Sequence, residues 1–425
     1  MSWRRFLYSL AWYCLVPVLL LRLLLRSRGN KAYQQRWAER FGMVAPLQSD
    51  KCQVICLHAV SVGEVMAARP LIEGLLSEKQ DYRLWITTTT PTGSETVKRL
   101  FGDDVEHSYL PYDLPGSVKR FLSRVRPTVF LVMETELWPN LYAACKQNAI
   151  PLLLLNARLS SRSARRYLKL KNLVAETLSG VTRVMARSEQ DAQRFRLLSS
   201  TASIEVVGNI KFDLAVDNDI VQRSKAIRQQ LTGRPIWCAG STHQGEEELL
   251  LKVHARLLSQ FPDLLLILVP RHPERFDSVA ELCEQSGLVY VRRSEKDLPL
   301  NNHNVFLGDS MGELLLWYAS SDLAFIGGSL VKVGGHNPLE ALAFGVPVLS
   351  GCYVDNFPDM YPLLVARQSA RLVESAEEMH KYATQWLGNA NDRLSSGQAG
   401  VAFLRENRGT VRRLLDAVDV CLQGH

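Results

Sequence analysis

Past its first 30 residues the chain alternates short apolar runs with longer stretches whose apolar residues recur at helical spacing. The runs QVICLHA (53–59), RLWITTT (83–89), VEHSYLP (105–111), TVFLVME (128–134), PLLLLNA (151–157), TRVMARS (182–188) and SIEVVGN (203–209) read as strands. Near-continuous apolar strands separated by amphipathic helices are the signature of a parallel sheet covered on both faces. A polar stretch from Asp213 to Arg234 interrupts the pattern. It restarts with PIWCAGS (235–241), DLLLILVP (263–270), LVYVRR (288–293), NVFLGD (304–309), DLAFIGG (322–328) and VPVLSG (346–351), and beyond about residue 375 it is mainly helical. The pattern predicts an α/β protein of two Rossmann-like halves: a first domain over 29–214 and a second domain over 215–425 that includes the terminal helices.

The first 28 residues stand apart. Phe6 to Leu25 form a 20-residue apolar run, which as a helix spans about 30 Å, the thickness of bilayer hydrocarbon. Pro17 would kink it, Arg22 would snorkel, and Trp3, Trp12 and Tyr13 suit an interface. No Ala-x-Ala cleavage site follows, so the run reads as a retained anchor (1–28) and not as a signal peptide. Charge supports this. The chain's net charge of +7 resides wholly in residues 1–40, which hold eight cations and the single acid Glu39. The rest of the chain is balanced, unlike a nucleic-acid binder with its basic stripe. A basic N-terminus beside an apolar run points to anionic lipid, with the body on the cytoplasmic side.

Several motifs are missing. Gly240 to Gly245 nearly forms a phosphate loop, but Glu246 stands where the lysine belongs. No strand leads into G-x-G-x-x-G, which argues against a nicotinamide or flavin enzyme. The eight cysteines are scattered, and His58, His272 and His336 form no metal-ligand spacing, so they read as hydrogen-bonding residues. Asp217-Asn218-Asp219 resembles a metal-binding DxD but lies in the polar stretch, away from any strand end.

The chemistry therefore concentrates after strands, where open α/β sheets put their ligands. Glu64 in SVGE begins the helix after the first strand; it either complements the helix dipole or faces the ligand. Glu134 and Glu136 in METELWPN emerge from the apolar FLVM. Lys211 follows the seventh strand. In the second half Pro270 and Arg271 follow a strand in a position to hold an anion, and Met311, Gly312 and Glu313 open a helix. In the stretch Gly327–Glu340, Asn337 suits a helix cap and Pro338 its first turn. Leu339 follows, and Glu340 lies one turn inside. This stretch is either a phosphate-binding helix start or a tight turn.

Taken together, SVGE, TTTTPTGSE (87–95), YLPYDLP (109–115), METELWPN (133–140), NARLS (156–160), VPRHPERF (269–276), MGEL (311–314) and GGSLVKVGGHNPLE (327–340) resemble the bacterial Kdo (3-deoxy-D-manno-octulosonic acid) transferases of lipopolysaccharide synthesis. The resemblance implies a GT-B glycosyltransferase with two Rossmann-like domains. It implies inverting, metal-independent transfer of Kdo from CMP-Kdo to a lipid A precursor (lipid IVA), without a cofactor. It implies Glu64 as base, Glu134 and Lys211 supporting the transition state, and CMP held by Pro270, Arg271, Met311–Glu313 and Asn337–Glu340. The implied partners are the donor, the lipid acceptor and the anionic inner membrane, with no nucleic acid. A basic run, Arg158 to Lys171, interleaved with Ala164, Tyr167, Leu168 and Leu170, is either a solvated helix or a second contact with anionic lipid. Two rival readings are a GT-B nucleotide-sugar epimerase, which would need no anchor, and a membrane-tethered nucleotide-binding scaffold without catalysis.

Overall fold

The computed structural model describes residues 2–29, 31–46, 52–78, 82–214, 216–231, 233–299 and 302–424. The chain forms two compact units, Met1–Asp213 with Asn407–His425, and Leu214–Glu406. Ala215, the expected first residue of the second domain, lies outside the described residues.

The first unit is built on a seven-stranded sheet of β1 (Gln53–His58), β2 (Tyr82–Thr88), β3 (Glu106–Tyr109), β4 (Val129–Met133), β5 (Leu152–Ala157), β6 (Arg183–Ala186) and β7 (Ile204–Val206). All neighbours pair in parallel, in the order β3-β2-β1-β4-β5-β6-β7. Helices cover both faces, so every residue of β4 and β5 is buried; this is why these strands lack polar alternation. The strand order reverses between β1 and β4, which pair from Ile55↔Val129 to His58↔Val132. A crevice at such a switch point, beyond the carboxyl ends of the strands, is where this fold binds ligands. Glu64 and Glu134 stand directly after these two strands.

The last helix, Thr410–Gln423, completes this unit. Leu414, Val418 and Leu422 join the core beside Leu71, Leu75 and Leu131. Asp213 accepts the N–H groups of Gly409 (2.6 Å) and Val411, and Thr410 donates to the Val207 carbonyl at 3.1 Å. Assigning all terminal helices to the second domain is thus corrected at Asn407–His425: the apolar stripe of this helix is buried on the first sheet.

The second unit repeats the plan with β8 (Ile236–Thr242), β9 (Leu265–Pro270), β10 (Tyr290–Arg292), β11 (Val305–Leu307), β12 (Leu323–Ile326), β13 (Val348–Gly351) and β14 (Ala370–Val373). Its order is β10-β11-β9-β8-β12-β13-β14, again all parallel, with the reversal between β8 and β12. The edge strand β14 was not expected, since its four residues ARLV carry a cation and only two are buried. The polar stretch after Asp213 is largely a helix, Asn218–Gln230. Asp217 caps it by accepting from Asp219 N–H at 2.8 Å, and Asp219 is exposed opposite Arg223. The DxD is a helix start.

The apolar N-terminal run is one helix, Trp3–Ser27, of mean hydropathy 1.8 in its 18-residue window, long and apolar enough to cross a membrane. Its first three turns dock on the first unit. Buried Ser9 meets the Asn140 amide at 3.0 Å, Ser2 donates to Glu176 at 2.5 Å, and Trp12 lies 6.1 Å from Trp138 and 5.9 Å from Tyr112. Trp12 therefore packs on protein, whereas Trp3 and Tyr13 are exposed. Two of the N-terminal cations are likewise structural. Arg36 and buried Arg40 lie over the Tyr109 ring, and Arg36 pairs with Glu39 at 2.7 Å.

Candidate functional site

Each sheet presents one group of polar residues at the carboxyl ends of its strands. In the first unit Glu64 occupies the first turn of the helix Val62–Ser77, whose start is fixed by extended Ser61 and by the apolar stripe Val65, Ala68, Leu71, Ile72 and Leu75. One carboxylate oxygen accepts the Val60 N–H at 2.8 Å, a helix-start contact that fixes the side chain. Burial raises the Glu64 carboxyl to about 8; the Val60 N–H opposes the shift, and Glu134 and Glu136 add to it. Burial, with Glu134 beside it, likewise lifts Glu136 to about 7. Three carboxyls sharing a partly dry rim cannot all ionise readily.

Glu134 is the hub of this group. Its φ of +56° is the left-handed region, which a residue with a Cβ enters only when the surroundings hold it there. Its N–H is tied to the Leu155 carbonyl at 2.9 Å. Asn156, near the end of β5, is also left-handed at +49°, and its buried side chain accepts the Ile210 N–H at 3.2 Å, which fixes the turn carrying Lys211. Burial lowers the Lys211 ammonium from its ordinary value, Glu134 counters this, and Arg187 and Arg158 reinforce it. The structure thus places Glu134 within electrostatic reach of Glu64, Glu136 and Lys211.

Sequence reasoning missed Arg187 and the residue that sets it. Buried Asp191 takes Arg187 at 3.1 Å, the Ser188 hydroxyl at 2.6 Å and the Leu159 N–H at 2.8 Å. It thereby fixes both the NARLS turn and the residues after β6. The signal was an Asp one turn into the helix after TRVMARS.

In the second unit Arg271 leaves β9 with its N–H on the Thr242 carbonyl at 3.0 Å. Glu340 is half-buried and its carboxyl is raised, first by desolvation, while the Asn337 amide at 3.2 Å and the Arg271 charge oppose the rise. Asn337 also accepts the Leu339 N–H at 3.2 Å and so caps the short helix Leu339–Leu342. Pro338 opens that helix, and the Leu339 side chain is in the core. Met311 is 59 % exposed and Gly312 is left-handed at φ +88°. Glu313 is gripped by both arms of Arg293, at 3.0 and 3.1 Å, and these bonds hold its carboxyl below the ordinary range despite burial. Arg271, Asn337 and Glu340 form one cluster; Met311–Glu313 sit on the neighbouring loop, which the helix Leu314–Ala319 follows.

Two features here were not read from the sequence. Glu246 accepts four backbone N–H groups, from His243 (2.8 Å), Gly328 (2.7 Å), Ser329 (3.0 Å) and Leu330 (2.9 Å). The residue that spoils the phosphate-loop motif is thus an internal anion filling a backbone nest, and it locks the loop after β12 to the loop after β8. Gly327 permits this approach, because a Cβ there would overlap the Ser241 carbonyl. Next to this lock His243 and His336 stack at 5.1 Å with Nε2 atoms 2.8 Å apart, and His272 meets His243 edge-on at 5.3 Å. Burial lowers His336 to about 4, with His243 and Arg271 adding to it. Burial likewise lowers His243, with His272 adding to it. Among the described residues no group of three or more His, Cys, Asp or Glu side chains is arranged to hold a metal.

Residues 35–214 match the family model described as 3-deoxy-D-manno-octulosonic-acid transferase. The 3-deoxy-D-manno-octulosonic acid transferase of Haemophilus influenzae is 45 % identical over 424 residues, 99 % of each chain. The chain belongs to the Kdo transferase family. The Bordetella pertussis transferase of the same name is 35 % identical over 98 % of this chain and 99 % of its own. Among solved structures, a UDP-GlcNAc 2-epimerase from Neisseria meningitidis aligns over 88 % of this chain and all of its own, with a TM-score of 0.56 at 14 % identity. That likeness supports the expected GT-B fold class of two parallel-sheet α/β units and carries nothing about substrate. Membership of the Kdo transferase family makes the chain a glycosyltransferase of lipopolysaccharide synthesis, so the epimerase and scaffold readings fall away.

Proposed function

We propose that the protein transfers Kdo from CMP-Kdo to the lipid A precursor lipid IVA, with inversion and without metal, at the cytoplasmic face of the inner membrane. The observation that carries the mechanism is the raised carboxyl of Glu64 beside Glu134 and Glu136 at the switch point of the first sheet. A glucosamine hydroxyl of the acceptor attacks the anomeric carbon of Kdo and gives its proton to Glu64. A base with a pKa near 8 is well matched to that task near neutral pH. As the new C–O bond forms, the bond from the anomeric carbon to the phosphate oxygen breaks, and CMP departs with an added negative charge. Lys211, held near Glu134 and close to two arginines, stabilises charge developing in the transition state. Glu134 orients Lys211 and keeps the Glu64 carboxyl basic.

The donor's nucleotide is assigned to the second unit. Arg271 pairs with the CMP phosphate, and Pro270 lies beside it. Met311, Gly312 and Glu313 supply a loop whose left-handed glycine leaves its backbone open to close approach. Asn337, Pro338, Leu339 and Glu340 offer the ribose and base a helix start with a half-buried acid. The apolar helix Trp3–Ser27 anchors the enzyme where its lipid acceptor resides.

The test is incubation of membranes containing the protein with CMP-Kdo and Kdo-free lipid IVA, products being weighed by mass spectrometry. Kdo-bearing lipid should accumulate, and exhaustive EDTA should leave the rate unchanged. Loss of activity on chelation, restored by a divalent ion, would contradict the metal-free step. Deleting residues 1–28 should release the protein from membranes while detergent-dispersed lipid IVA is still modified.

A further inference from the structure

Beside the acids at the switch point, the first sheet carries a row of cations at its strand ends. Glu134 directly follows β4, Arg158 directly follows β5, Arg187 directly follows β6, and Lys211 lies in the turn after β7. These four strands are neighbours in that order. Two of the cations have an acid to answer them. Arg187 pairs with buried Asp191 at 3.1 Å, and the Glu134 charge favours the Lys211 ammonium. Arg158 has none: among the described residues no hydrogen bond or ion pair reaches its guanidinium.

Arg158 is nevertheless half-buried. Arg162, Arg165, Arg166 and Lys169, the later members of the same basic run, are exposed on or just after the helix Ser161–Leu168. Arg158 precedes that helix and belongs to the rim. The backbone that carries it is fixed on both sides. Ala157 and Leu159 are fully buried, and the Ala157 carbonyl accepts the Arg187 N–H at 3.1 Å. Leu159 is held by its N–H on Asp191 (2.8 Å) and by its carbonyl, which accepts from Arg194 (3.0 Å). Asn156, two residues earlier, is bonded to the turn of Lys211. A partly desolvated guanidinium with no carboxylate beside it, repelled by Lys211, is destabilising in the empty protein. A bound anion would reverse that cost.

We infer that Arg158 is a substrate-binding residue that grips an oxyanion of one of the two substrates, either a phosphate of the lipid acceptor or the carboxylate of Kdo. The inference rests on the proposed transfer reaction and adds a second point of attachment on the rim that carries Glu64. The planar fork of a guanidinium fits both groups with two parallel N–H···O bonds. Each anion belongs to a molecule that reacts at the base, so holding it on a rigid turn restricts how the reacting group can lie.

The experiment measures equilibrium binding to the full chain in detergent, for wild type, Arg158→Gln and Arg158→Lys. Lipid IVA and CMP-Kdo are titrated separately, with dephosphorylated lipid IVA and CMP as controls that lack the anion in question. Arg158→Gln should weaken one substrate by roughly 10–100-fold and leave its control unchanged. Arg158→Lys, which keeps the charge without the fork, should fall between. A loss for lipid IVA and not for its dephosphorylated form assigns the phosphate; a loss for CMP-Kdo and not for CMP assigns the carboxylate. The melting temperature of Arg158→Gln should hold or rise, because repulsion of Lys211 is relieved. Affinities for both substrates within two-fold of wild type would overturn the inference. So would equal losses for substrate and control together with a lower melting temperature, which would mark Arg158 as a structural residue. Binding is read without turnover. Arg158-dependent binding without Kdo transfer would therefore count against the proposed function alone, and transfer with Arg158-independent binding against this inference alone.

Discussion

Both sheets are seven-stranded and parallel, and each reverses its strand order beside its first strand, yet their rims carry opposite chemistry. The rim of the first sheet crowds carboxyls together: Glu64, Glu134 and Glu136 surround the switch point, and two of them are lifted to about 8 and 7. At the second rim two carboxyls are already spent, and a third, Glu340, lies beside Arg271. Glu246 fills a nest of four N–H groups and Glu313 is clasped by Arg293, which leaves Arg271 and the histidines to face the solvent-side loops. The first rim is poised to take up a proton and the second to hold an anion. Where a carboxylate's bonds go, more than the presence of a carboxylate, decides which task a rim performs.

The sharpest way to break that contrast is Glu64→Gln. It keeps the Val60 N–H contact and removes the proton acceptor, so kcat for Kdo transfer should fall roughly 10²–10⁴-fold, with CMP binding unchanged. Arg271→Ala should act on the other rim. Loss of a charge-assisted bond of about 1.5–3 kcal/mol should raise the KM for CMP-Kdo by roughly 10–100-fold, with a smaller effect on kcat, measured in steady-state assays. Glu246→Ala should leave the first rim intact and loosen the second. Four N–H groups lose their acceptor, and at about 1–3 kcal/mol for each group left buried and unsatisfied the melting temperature should fall by about 10 °C or more. An unchanged melting temperature would show that water fills the nest as well as the carboxylate does.

The smallest effect concerns stability and pH. A carboxyl whose folded pKa is raised binds more protons in the folded than in the unfolded state. The folded state is therefore favoured at low pH and loses that advantage as pH rises from the ordinary glutamate value towards 8. Glu64→Gln, neutral throughout, should consequently melt higher than wild type at pH 8–9 and differ little near pH 4. The opposite ordering would mean that Glu64 is a stabilising helix-start residue.

Much of the fold was legible because strands buried on both faces must be apolar throughout. The central strands announced themselves in this way, and β14 escaped because Arg371 interrupts four residues. The positions of Glu64, Glu134 and Lys211 were legible because acids and a lysine emerge from apolar strands. What stayed hidden depends on distant partners. Glu246 read as a spoiled motif until the loop 328–330 was seen around it. His243 and His336, 93 residues apart, gave no spacing signal. The last helix looked like a neighbour of the second sheet, but the Asp213 carboxylate bonded to its first turn and the burial of Leu414, Val418 and Leu422 in the first core tie it to the first. Trp12 fitted an interface until Trp138 and Tyr112 met it.

The central claim is that the crowded first rim makes Glu64 the base, and its most direct test is the pH profile of kcat/KM for wild type and Glu64→Gln with detergent-dispersed lipid IVA. The wild-type rate should rise with pH through an apparent pKa near 8, above the ordinary glutamate range, because the acid form must lose its proton before it can act. In the variant that acidic limb should vanish, leaving a low and flat residual rate. A variant that keeps the same limb and turns over within a few-fold of wild type would contradict the account and move the search for the base to Glu134 or Glu136.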